Sequence, residues 1–100
     1  MAKKRELHDY FFKEAKRNGF RSRAAYKLIE IADKRDIFSK GDKVLDLGAA
    51  PGSWCQVASN KIGKKGFVIG VDLQKIDAFN ESNIFSIVED VNQLSLQMLN

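Results

Sequence analysis

The sequence has few of the features that mark secreted or membrane-spanning chains. It holds one cysteine, Cys55, so no disulfide can form within the chain and a cysteine-built zinc site is not expected. No metal is therefore expected, and a reducing, cytoplasmic setting fits. No apolar run approaches the ~18–20 residues of a membrane span, so no membrane partner is expected. The start, MAKKRELHDYFF, is basic but lacks the apolar stretch and cleavage site of a secretory signal. No internal repeat or low-complexity tract is visible.

What is present reads as one small globular domain. Of the 100 residues, 44% are hydrophobic and 30% charged, and domains run from about 50 to 250 residues. The net charge of +4 is unevenly spread. Residues 1–43 hold 13 Lys/Arg against 7 Asp/Glu, and residues 44–100 hold 4 against 6. A polyanionic partner would be drawn to the first half; the plainer alternative is a solvated basic helix.

The spacing of Leu7, Tyr10, Phe11, Glu14 and Ala15 predicts a first helix that stops at Gly19. Ser22 opens a second helical pattern, RAAYKLIEIADKRDIF, with Ala24, Leu28, Ile31 and Ala32 on one face. Lys40-Gly41-Asp42 reads as a turn and KVLDLG as a short buried strand. Ser53 to Ile62 predicts a helix, with Ser53 as N-cap and Gln56 completing a capping box. FVIGVDL and IFSIVED follow as strands, and QLSLQML begins another helix. Helices followed by β-α-β-loop-β-helix describe an α/β fold, the first half of a doubly wound parallel sheet. Three such strands leave an unpaired apolar edge, which folded domains avoid. The chain is therefore expected to be part of a longer protein, or to need a partner along that edge.

The chemistry centres on VLDLGAAPGSW, residues 44–54. In doubly wound sheets ligands bind at the carboxyl ends of the strands. Gly48 and Gly52 lack a Cβ, which lets backbone amides come close to a ligand. The helix after the turn offers free N–H groups to an anion. Asp46 could brace the turn or accept a hydrogen bond from a ligand ammonium. Asp72, 26 residues on, suits the two hydroxyls of a ribose, or else caps the next segment. Asp90 ends the third strand and could accept from an adenine amino group, or be purely structural. Trp54 is either a ligand wall or a packing residue, and Cys55 a small helix-packing residue. The turn lacks the middle glycine of the G-x-G-x-x-G dinucleotide fingerprint, which argues against a nicotinamide or flavin enzyme. S-adenosylmethionine, an adenosine with a zwitterionic tail and no phosphate, fits better.

FRSRAAYKLIEI, DKVLDLGAAPGSWCQV and GFVIGVDL together resemble the FtsJ/RrmJ family of RNA ribose 2′-O-methyltransferases, from roughly Tyr10 to Asp90. The resemblance implies a Rossmann-like, S-adenosylmethionine-dependent methyltransferase fold, here the N-terminal helices and first three parallel strands. It divides the chain into a basic, RNA-facing helical segment, 1–40, and a cofactor-binding β-α-β-β part, 41–100. It implies cofactor contacts at Asp46, Gly48, Gly52, Trp54, Asp72 and Asp90. Of the family's Lys-Asp-Lys-Glu catalytic set it places the first lysine at Lys27, which the residues alone would give as an exposed helical lysine. The other three are expected beyond the third strand, so this chain alone is expected to be inactive. The implied reaction is methyl transfer to a ribose, typically of a uridine in large-subunit (23S-type) ribosomal RNA. A tRNA-modifying branch and a non-catalytic cofactor- or RNA-binding remnant remain alternatives. Lys3, Lys4, Arg5, Lys13, Lys16, Arg17, Arg21 and Arg23 become candidates for RNA phosphate contacts. Phe20 and Tyr26 are candidates for base stacking or, more simply, for the core.

Overall fold

The structure, a computed structural model, describes residue 10 and residues 13–93. A helical segment at 13–17 ends at Gly19, which takes the left-handed conformation (φ 79°) expected of a stop. Helix α1 (Ala24–Arg35), strand β1 (Lys43–Leu47), helix α2 (Ser53–Ile62) and strands β2 (Phe67–Asp72) and β3 (Ile84–Val88) follow, with a short 3-10 turn at Val91–Gln93. The helix expected in QLSLQML lies, apart from Gln93, outside the described residues. So do Lys3, Lys4 and Arg5.

The strands run parallel in the order β1-β2-β3. Register sets Asp46 beside Gly70 and Gly70 beside Ser86. Helix α2 lies on one face of this sheet, burying Cys55, Ala58 and Ile62 with Val68 and Ile84. Glycine at position 70 makes that approach possible. A Cβ there would stand 2.9 Å from Cys55 Sγ and 3.0 Å from the Ala49 Cβ. Fully burying Ile62, which is 0% exposed, is worth about 1.5–3 kcal/mol. On its other side α2 presents Val57 to Ala25 and Leu28 of α1, with Phe20, Ile29 and Phe38 packed around them.

Three local expectations are corrected. The buried residues of α1 are Ala25 and Leu28; Ala24 is exposed and Ile31 and Ala32 half-buried, because the helix meets α2 about one residue round from the face expected. The helix also ends at Arg35, before Ile37 and Phe38, where Asp36 turns left-handed (φ 51°) and its N–H bonds the carbonyl of Ala32. The capping box is absent. Gly52 is the N-cap of α2 (φ 115°), and the side chains of Ser53 and Gln56 are drawn to the segment before α1 instead.

The second face of the sheet is less covered than helices on both sides would leave it. Leu45, Leu47 and Phe85 are 42%, 50% and 55% exposed. Among the described residues β1 and β3 each pair only with β2, so both edges of the sheet are unpaired. No described helix is long and apolar enough to cross a membrane.

Candidate functional site

The turn after β1 is built as an extension of the sheet. The N–H groups of Gly48 and Ala49 both donate to the carbonyl of Val71, at 2.8 and 3.0 Å. The N–H of Ala50 donates to the Asp72 carboxylate at 2.9 Å. Ladder and carboxylate together hold a loop that leaves the sheet at Gly48 (φ 75°) and re-enters helix at Gly52. Above it lies a cavity of about 320 Å³, lined by Asp46, Leu47, Gly48, Ala49, Trp54 and their neighbours. That is at the lower end of the ~300–1,000 Å³ typical of small-molecule sites. At Gly48 a Cβ would meet nothing within 4 Å, so this backbone faces open space.

The surroundings of the three acids differ. Burial pushes the Asp46 carboxyl above its ordinary value, partly countered by the Cys55 thiol that donates to it at 3.2 Å. Burial and the neighbouring carboxylate push that thiol up to about 12, which leaves Cys55 an inert packing residue. Asp72 is the reverse case. Backbone N–H groups of Gln74 and Ala50 donate to it and hold its carboxyl below the ordinary range. Its side chain therefore braces the turn, and two accepted bonds leave lone pairs of a carboxylate free. Asp90 accepts from the N–H of Asn92 at 2.9 Å and caps the turn after β3.

Of the expected cofactor residues, the structure thus brings Asp46, Gly48 and Trp54 to the cavity wall. Gly52 lies behind that wall, where a Cβ would fall 2.5 Å from the Phe79 ring. Asp72 supports the wall, and Asp90 serves its own turn. Lys27 lines an adjacent depression with Arg23, Ala24, Tyr26 and Glu30. Ala24 borders both hollows, so the lysine's helix starts at the rim of the cavity. On the same helix Lys34 Nζ donates to Glu30 at 3.1 Å, which is the main reason the Glu30 carboxyl sits low.

Sequence reasoning missed how the segment before α1 is strapped to the cavity. Trp54 Nε1 donates to the carbonyl of Ala24 at 2.8 Å, and the hydroxyls of Ser22 and Ser53 lie 2.7 Å apart. Gln56 accepts from the Arg21 N–H at 2.9 Å and donates to the carbonyl of Gly19 at 3.0 Å. Trp54 is thus both a cavity wall and a packing residue. Phe20 packs against the core between the two helices, whereas Tyr26 meets it edge to face, 5.8 Å between centroids, and its hydroxyl accepts from Asn18 Nδ2 at 2.7 Å at the surface.

Among known proteins, the model of the FtsJ-like methyltransferase family matches residues 20–100. The ribosomal RNA large subunit methyltransferase E of Methanococcus aeolicus is 48% identical over 86 residues, covering 86% of this chain and 32% of that protein. The protein of the same name from Methanothermobacter thermautotrophicus is 49% identical over 82 residues, covering 82% and 39%. The chain thus spans roughly a third to two-fifths of the length of these relatives. A crystal structure of a ribosomal RNA methyltransferase from Plasmodium falciparum superposes with a TM-score of 0.64 at 36% identity, over 74% of this chain and 40% of that one. The glycine turn, the helix leading from it and the parallel strands beside it all fall within the matched span, and the chain belongs to the FtsJ-like methyltransferase family.

Proposed function

We propose that the chain forms the donor-binding, N-terminal half of a single methyltransferase domain that uses S-adenosylmethionine to methylate a ribose 2′-hydroxyl of RNA. The names of the relatives support large-subunit ribosomal RNA as the target, and the resemblance noted in the sequence makes the modified nucleotide a uridine. The same reading sets the protein in the cytoplasm, with RNA as its partner. The observation that carries the proposal is the cavity over Gly48, with a half-buried carboxylate in its wall and the Lys27 helix at its rim.

The residues present fit the donor. Open space above Gly48 admits a ligand against the backbone, and the Asp46 carboxylate offers an acceptor for an ammonium group. Trp54 supplies a flat apolar wall. The remaining lone pairs of Asp72 would accept from ribose hydroxyls, and Asp90 would serve the base. When bound, S-adenosylmethionine supplies a methyl group already activated by the positive charge on its sulfur. The task left to the protein is alignment and proton handling. Lys27 would orient the acceptor hydroxyl from the rim, its ammonium donating to the oxygen. Residues 1–40 would hold the RNA by phosphate contacts, which position without reading sequence.

Trp54 is the chain's only tryptophan, so its fluorescence reports on the cavity. Titrating S-adenosylmethionine into the 100-residue chain should change that emission saturably. Once the chain is joined to the second half of the domain, incubation with large-subunit ribosomal RNA should leave one ribose resistant to alkaline cleavage. Methylation of a base, or an emission unmoved at millimolar donor, overturns the proposal.

A further inference from the structure

Among the described residues, the Arg21 side chain is held by three backbone carbonyls and a ring. Its Nη1 donates to the carbonyls of Pro51 at 2.9 Å and Asp77 at 2.7 Å, and its Nη2 to the carbonyl of Ala78 at 2.5 Å. The guanidinium carbon lies 3.8 Å from the centroid of the Phe79 ring, within the range of a cation–π contact. Pro51 belongs to the glycine turn, and residues 77–79 to the loop that follows β2. One planar group therefore ties together two loops that share no strand pairing. Gln56 aims it, because the Arg21 N–H and the Gly19 carbonyl are both held on α2. The fit is close: a Cβ on Gly52 would stand 3.2 Å from Nη1.

We propose that Arg21 is a positioning residue of the donor pocket, clamping the glycine turn against the loop after β2, rather than a contact to RNA phosphate. The proposal rests on the donor-binding reading above. Its chemistry is specific to arginine. A flat fork can bond three carbonyls while stacking on a ring, whereas a lysine ammonium carries the charge without the plane. For a phosphate contact, by contrast, the positive charge is the essential feature.

The test compares Arg21→Lys and Arg21→Ala in the full-length chain. Calorimetry measures S-adenosylmethionine affinity, RNA binding is followed across salt concentrations, and amide exchange is measured without ligand. Both variants should bind the donor at least about tenfold more weakly, with RNA affinity and its salt slope unchanged. Exchange should quicken together in residues 48–53 and 77–79. Arg21→Lys carries the test if Arg21→Ala fails to fold. Donor affinity in Arg21→Lys within twofold of the parent overturns the proposal. So does a salt slope reduced by about one, the mark of a lost phosphate contact. A parent chain that binds no donor overturns the proposed function; coupled exchange in the two loops would still uphold the clamp, and uncoupled exchange would overturn it too.

Discussion

Two glycines four residues apart should respond very differently to alanine. Gly48 and Gly52 both have positive φ, 75° and 115°. A non-glycine residue in left-handed backbone costs about 1–2 kcal/mol, so both substitutions carry that strain. Only Gly52 has neighbours in the way. Its added Cβ would stand 2.5 and 2.7 Å from two carbons of the Phe79 ring and 3.2 Å from Arg21 Nη1, whereas at Gly48 nothing lies within 4 Å. Relieving the clash means moving Phe79 off the Arg21 guanidinium, and overpacking of this kind costs about 1–3 kcal/mol more. Gly52→Ala should therefore destabilise by about 2–5 kcal/mol and Gly48→Ala by about 1–2 kcal/mol. Urea unfolding of the two variants beside the parent measures the gap. Donor binding should reverse the contrast per unit of stability lost, since Gly48 lines the cavity and Gly52 does not. A Gly52→Ala variant no less stable than Gly48→Ala would refute the steric reasoning.

The two carboxylates of the turn should show opposite pH behaviour. Asp72 has a carboxyl held below its ordinary value of 3.8, so it adds stability above that value and loses it as pH falls through the depressed one. Asp72→Asn should unfold more easily than the parent at pH 7, and melting curves should converge below pH 3.8. Asp46 is raised, so its contribution is fully present below the ordinary value and is lost as pH rises through the raised one. Asp46→Asn should match or exceed the parent in thermal stability at pH 7 and lose that advantage in acid, while binding S-adenosylmethionine at least about tenfold more weakly; a variant that keeps donor affinity removes Asp46 from the site.

The elements were legible because each carries its own punctuation. Gly19, Gly41 and Gly63 mark turns that the structure places where the sequence does, and the apolar strands FVIG and IFSIV read directly as parallel ladder. Errors arose where a side chain had two possible partners. Ser53 and Gln56 have the spacing of a local cap, yet tertiary hydrogen bonds to Ser22, Gly19 and Arg21 outbid it, and spacing holds no information about a segment more than 30 residues away. The same limit applies to Arg21, whose basic neighbours made it look like one more phosphate contact. Its three acceptors are backbone carbonyls, which no residue pattern displays. Asp46 and Gly48 were legible as cavity residues because a strand end fixes their direction. The support role of Asp72 depended on where the Ala50 N–H would point.

In the order β1-β2-β3, successive strands are added always on the same side, and the cavity sits over the strand where that progression starts. A fourth strand could join this sheet beyond β1 only by winding the opposite way, and such a reversal opens a crevice between the two diverging connections. Half of that crevice is already shaped by Gly48 and Ala49. Any strand laid alongside β1 would thus extend the hydrogen-bonded ladder and raise the facing bank of the cleft in a single step.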